Sequence, residues 1–170
     1  MNKRLILNYA LTFGILAGLG CFLFFLAMYF TQNNPLNFRR PDIGINIILI
    51  WAAIWYFKRY NGGYLHFYEG FSIGFLTNLF AALTSGLLVF LFIKIVDPNP
   101  FLVWITEAKS FLIKERGTLK NILDDANFKR QLASLSSSRH YQIILDDLMF
   151  KQIAIIPISL LSMAMRKINK

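Results

Sequence analysis

The chain of 170 residues contains a single cysteine, Cys21. One thiol excludes an internal disulfide and a cysteine-based zinc cluster. The only two histidines, His66 and His140, lie beside tyrosines, and neither belongs to an H-x-x-x-H or H-E-x-x-H pattern. The spacing that places metal ligands on one helix face is therefore missing, and no metal or cofactor is expected. No glycine-rich phosphate loop follows a strand; Asn61-Gly62-Gly63 reads as a turn. Ser72 and Ser85 have no adjacent base. Acidic residues are scarce, 9 against 18 basic ones, for a net charge of +9. Such a balance suits nucleic acid or an anionic membrane surface. No nucleic-acid-binding motif is present, so no nucleic-acid partner is expected. Two carboxylate pairs occur, Asp124–Asp125 and Asp146–Asp147. Adjacent helical residues point about 100° apart, so neither pair forms an acid/base dyad, and both are expected to be solvated or helix-end charges.

What the chain has in abundance is apolar surface: 56% of residues are hydrophobic and the mean hydropathy is +0.49. The length suits one domain, residues 1–170. The apolar residues are gathered in blocks, which predict an all-α polytopic membrane bundle with spans at about 5–30, 42–58, 68–95 and 148–166. The first run follows Met1-Asn2-Lys3-Arg4, as a secretory signal would. It is longer than an h-region of about 7–15 residues, and Phe25–Phe30 offers no small-residue cleavage site. Gly18-Leu19-Gly20-Cys21 is a poor lipobox, with glycine where an aliphatic residue is usual and apolar chain continuing past the cysteine. A retained helix is expected. The second run is short, with Trp51, Trp55 and Tyr56 as interfacial aromatics and Lys58 and Arg59 as its stop. The fourth is short too. Leu148–Phe150 lengthen it if Lys151 snorkels to the headgroups, and Pro157 should kink it.

Within the third run, Gly70, Gly74, Asn78, Ala82 and Gly86 recur every four residues. Lipid tails are as apolar as leucine, so membrane helices associate by close packing, which small residues allow. This seam predicts a groove for another helix, and Ala10, Gly14 and Gly18 of the first run form a candidate ridge to fill it. No charged residue lies deep in the first three runs; Asn8, Asn46 and Asn78 are their strongly polar groups. Asn78 is expected to make an interhelical hydrogen bond. Its other reading is a transport function.

Lys3, Arg4, Lys58, Arg59, Arg166, Lys167 and Lys170 fall on one side of a four-span arrangement. The other side holds Arg39, Arg40 and a long loop in which bases alternate with acids. The positive-inside rule then gives N-in and C-in. The greater total of basic residues in the loop leaves the reverse orientation open. That loop begins with Asn99 and Pro100 as helix-start signals. Phe101, Trp104, Ile105, Ala108, Phe111 and Leu112 follow as a helical apolar stripe. Gly117 is a natural stop, and a second helix is expected from Thr118 with Leu119, Ile122, Leu123 and Ala126 on one face. Residues 134–139 read as a hinge. Residues 99–135 are thus an amphipathic segment. It either lies on lipid or docks a partner, or it forms a lid on the protein's own spans.

The basic stop after the second run leads into Gly62-Gly63-Tyr64, Phe67, Gly70 and Gly74, and the third run ends in Asp97-Pro98. With the amphipathic loop and the closing Met165-Arg166-Lys167, this order resembles the small four-span membrane proteins of domain-of-unknown-function family 4199, found mainly in Bacteroidetes. The resemblance covers nearly the whole chain. It implies an integral inner-membrane protein and carries no catalytic residues. The loop departs from it, with lysines and serines where a glutamate-rich segment is expected.

Two functions follow as expectations. One is a non-enzymatic accessory or assembly subunit of a bacterial inner membrane, in contact with lipid and with a membrane-protein partner or further copies of itself. The other is a small oligomeric transporter or channel working around Asn78. An intramembrane enzyme is disfavoured by the missing acid/base and metal constellations.

Overall fold

The computed structural model describes residues 3–31, 33–38, 42–119 and 124–168. These contain helices and no strand, apart from one isolated antiparallel bridge between Leu65 and Lys167. Four long elements form the body: α1 (Lys3–Phe30), α2 (Ile43–Tyr60), α3 (Phe67–Ile95) and a broken C-terminal helix made of α7 (Gln142–Lys151) and α8 (Ile155–Ala164). Between α3 and α7 lie α4 (Asn99–Lys114), the short α5 (Arg116–Leu119) and α6 (Asp125–Ser136). Of these, α1 and α3 are long and apolar enough to cross a membrane.

The chain runs up and down. Gly14 meets Phe80 and Phe25 meets Phe92, so α1 and α3 are parallel. Tyr9 meets Phe57 while Gly20 meets Ile45, so α2 runs the opposite way. Gly74 meets Ile158 and Gly86 meets Ile144, so the broken helix also opposes α3. The start of α1, the end of α2, the start of α3 and the end of α8 therefore share one end of the bundle. Three local devices fix that end. Gly62 and Gly63 turn the chain at φ of 66° and 85°, values that suit glycine. Glu69 accepts from the His66 backbone N–H at 3.0 Å, which satisfies an open helix-start donor. Leu65 and Lys167 exchange two backbone hydrogen bonds of 3.0 Å.

The two glycine faces do not meet each other. A Cβ on Gly14 would lie 2.5 Å from Phe80 Cβ and 2.9 Å from the Thr77 carbonyl, and one on Gly18 would collide with Thr84. The α1 glycines thus close on the Thr77–Phe80–Thr84 side of α3. The seam Gly70–Gly74–Asn78–Ala82–Gly86 faces the broken C-terminal helix instead, at Ser162, Ile158, Lys151 and Ile144. A small-residue repeat specifies close approach without naming the partner: α1 brings its own repeat to one side of α3, and α3 presents its repeat to the broken helix.

The helix in place of the expected fourth span also differs from expectation. It begins at Gln142, not near 148, and a 3-10 turn at Gln152–Ala154 interrupts it. Pro157 supplies the cause: it has no N–H for the Ile153 carbonyl, and its ring crowds the preceding turn.

At the far end α1 and α3 outrun α2 and α7. Phe25, Val89, Ile93 and Ile143 would be uncovered there, but Leu36 and Phe101 complete a core with them, against which Trp104 and Ile105 pack. Tyr29 donates a 2.8 Å hydrogen bond to Asp97, and Asn37 donates one of 2.7 Å to Glu107. Asp97 also accepts from the Asn99 backbone N–H at 2.9 Å, the capping role expected of Asn99. Helix α4 ends at Lys114, and Gly117 lies inside α5 rather than ending a helix. Helix α6 runs three residues into the expected hinge. Ile122, Leu123, Arg39, Arg40 and Lys170, which entered the sequence reading, lie outside the described residues.

Candidate functional site

Lys151 ends α7, one turn after Asp147, and both side chains point towards α3. The lysine is fully buried, and so does not snorkel. Its Nζ lies 3.2 Å from Asp147 Oδ2 and 3.5 Å from Asp42 Oδ2, and donates to Ser85 Oγ at 2.6 Å. Ser85 in turn donates to Asp147. Asp147 and Asp42 are buried, at 3% and 6% exposure. Asp147 is therefore no solvated charge, whereas its neighbour Asp146 is exposed. Helical spacing explains the contrast: residues 147 and 151 share a face and residue 146 turns away.

The helix break adds a second layer. The Ile155 N–H bonds within the 3-10 turn, to Gln152 and Ile153, which leaves the Lys151 carbonyl without its usual α-helical donor. Asn78 donates to that carbonyl at 2.9 Å and accepts from Asn46 at 2.5 Å. All three groups are buried. A freed carbonyl buried away from water needs another donor. Asn78 supplies it and links α2, α3 and α7. Cys21 is buried as well, donating weakly to the Asp42 carbonyl at 3.6 Å.

Ser85, without a base beside it in sequence, has a lysine at hydrogen-bond distance in space. A Ser–Lys pair is a known catalytic arrangement when the lysine is a neutral base. Here the ammonium is shared by two carboxylates, and Ser85 gives its own proton to one of them. The geometry is that of an ion-pair network holding helices together.

Above the cluster is a cleft of about 210 Å³. Leu36, Phe101, Trp104, Ile143 and Phe150 form its walls, and Asp146 and Asp147 its polar part.

The remaining predicted positions fall as follows. Gly70, Gly74, Asn78 and Gly86 line the contact with the broken helix, Ala82 between them is buried, and Gly14 and Gly18 lie on the other contact, with α1 against α3. Phe101 is buried; Trp104, Ile105, Ala108 and Leu112 are half-buried; Phe111 is 65% exposed. The α4 stripe therefore packs on the bundle at its start and leaves it towards its end. Leu102, Val103 and Ile113 form a further exposed apolar face. His140 packs its ring edgewise on Phe101 at 4.8 Å. Asp124 caps α6 through the Asn127 N–H at 2.7 Å, and Asp125 meets Arg116 at 3.2 Å on the surface.

Sequence reasoning missed the Asp42–Ser85–Asp147–Lys151 cluster. Its one legible signal was the i, i+4 pair Asp147–Lys151 at the start of an apolar run.

Fold and site define an all-helical bundle with a charged, hydrogen-bonded interior and two helices able to cross a membrane. The sequence model of the family described as Protein of unknown function (DUF4199) matches residues 12–167, and the chain belongs to that family. Comparison with curated proteins and with solved structures gives no match.

Proposed function

We propose that this is a multi-pass integral protein of a bacterial inner membrane, with both termini cytoplasmic, acting as a non-enzymatic accessory or assembly subunit. The observation that carries the membrane reading is the inverted polarity of the bundle. Its interior holds Asn46, Asn78, Ser85, Asp147 and Lys151, while Leu7, Leu11, Leu19 and Leu23 of α1 and Ile153, Ile156, Leu160 and Met163 of the C-terminal helix face outwards. Exposing such side chains to water forgoes about 1.5–3 kcal/mol each; in lipid they cost nothing. The accessory role is supported by the use made of the interior charges, each of which ties one helix to another.

A transport function is the second reading. The helix break beside a buried lysine, under a cleft that reaches Asp147, favours it, because discontinuous helices with ionisable groups frame many transporter sites.

Membrane retention after alkaline carbonate washing tests the first statement. Cysteines introduced at Asn61 and Ser136 test the topology, and the native Cys21 is buried and gives little background. Asn61 should be labelled from the cytoplasm and Ser136 from outside; cytoplasmic labelling of Ser136 would overturn it. Purification in mild detergent should yield stoichiometric co-eluting protein. A particle lacking any partner, together with ion flux in proteoliposomes that Lys151→Met abolishes, would replace the accessory reading by transport.

A further inference from the structure

The bundle end that carries the chain termini is unlike the rest of the molecule in charge. Lys3 and Arg4 open α1, Lys58 and Arg59 close α2, and Arg166 and Lys167 follow α8. Of the 9 acidic residues in the chain, Glu69 alone belongs to this end, and it is buried in the cap of α3. The described part of the loop at the other end mixes the signs: Lys109, Lys114 and Arg116 stand among Glu107, Glu115 and Asp125.

The cationic end is also built rather than frayed. The paired backbone bonds between Leu65 and Lys167 hold the segment after α8 against the turn before α3. The Lys167 ammonium stands 5.9 Å over the Tyr64 ring, and the Arg59 guanidinium 5.6 Å over Trp55. Both aromatics belong to the class that occupies the headgroup level of a bilayer. Beside Lys167 the surface is open and nearly flat, bordered by Met163, Arg166, Lys167 and Ile168. One part is cationic and the other apolar. The apolar part continues along the exposed ridge Met163–Leu160–Ile156 of α8.

We propose that this surface is a binding site for an anionic phospholipid. Arg166 and Lys167 take the phosphate and the acidic headgroup, while an acyl chain runs along Met163, Leu160 and Ile156. The cation pair and the apolar ridge are continuous, a combination that matches a lipid and exceeds what a free anion needs. The site rests on the membrane reading above.

The test uses the full chain purified in a neutral detergent. Native mass spectrometry is run with phosphatidylglycerol or phosphatidylcholine added at equal concentration, and flotation is run with vesicles of each lipid. Wild type should retain phosphatidylglycerol in preference to phosphatidylcholine. The double variant Arg166→Gln/Lys167→Gln should lose that preference by about 10- to 30-fold, the factor expected for two basic residues at an anionic surface. The control Lys129→Gln/Arg130→Gln on α6 should keep it, and unchanged helicity of both variants shows that they fold. Equal binding of the two lipids by wild type, or undiminished preference in the Arg166/Lys167 variant, overturns the site. So does a thermal stabilisation by inorganic phosphate equal to that by the lipid. Flotation with both vesicle types but no preference defeats this inference alone, whereas flotation with neither defeats the membrane reading itself.

Discussion

Replacing Lys151 by Met is the most demanding test of the buried cluster. Methionine keeps much of the length and volume of the lysine stem and deletes only the ammonium. In the folded protein that ammonium stands 3.2 Å from Asp147 and 3.5 Å from Asp42, and gives Ser85 a 2.6 Å hydrogen bond. The lysine side chain is fully buried, so solvent cannot replace what is lost. Removing one partner of a buried ion pair costs about 3–5 kcal/mol, because the charge left behind remains desolvated. For a domain of this size each kcal/mol moves Tm by about 2–4 °C, so a fall of about 6–20 °C is expected. Heating purified protein in mild detergent and measuring the fraction that still elutes as a monodisperse peak gives that Tm. Neutralising the carboxylates as well, in Lys151→Met/Asp42→Asn/Asp147→Asn, should recover most of the loss, since a buried ionic group exchanged for neutral residues is often tolerated. A Lys151→Met protein as stable as wild type would refute the argument. It would mean that water reaches the site, or that the lysine lies elsewhere.

Gly74→Leu should destabilise by about 1–3 kcal/mol through overpacking, since even a Cβ there comes within 2.7 Å of Ile158; Leu76→Gly should cost less, and the reverse order in detergent melts would remove the seam as a packing surface. Asn78→Leu should cost about 1–3 kcal/mol by leaving the Lys151 carbonyl without a donor, more than Asn8→Leu near the end of α1, with equal losses refuting the helix-break role. Trp104, isolated by Trp51→Phe and Trp55→Phe, should emit in the blue, resist aqueous quencher and be only weakly quenched by lipid-borne quencher, because its ring stacks on Phe101 with centroids 6.1 Å apart. Strong lipid quenching would turn the start of α4 from a lid into a membrane-lying helix.

Much of the architecture was legible before any coordinates. The bounds of α1, α2 and α3 follow from where apolar runs meet charge and glycine, because a long apolar run favours a helix and glycine and solvated charge favour its end. The seam on α3 was legible for a similar reason: glycine at helical spacing in an apolar helix has little use other than close approach. The start of the α4 stripe could be read from its period, but its end could not. Phe111 matches the pattern and yet is exposed, because α4 runs past the bundle it packs on.

Which helix would fill each groove, and where the charges would go, were decided by tertiary structure alone. Asp42, Ser85 and the pair Asp147–Lys151 are far apart in the chain, and each read by itself is ordinary: a helix-end charge, a serine within an apolar run, an i, i+4 ion pair. A lysine at the edge of an apolar run snorkels when its surroundings offer only lipid, and is buried when two carboxylates and a hydroxyl converge on it. That difference is a matter of partners, not of the residue. The sequence determined the helices and the closeness of their packing, because hydropathy and side-chain size act locally. The ionic cluster and the broken fourth helix that Asn78 repairs belong to the fold, because the desolvation of a charge can be offset only by groups that the fold brings to it.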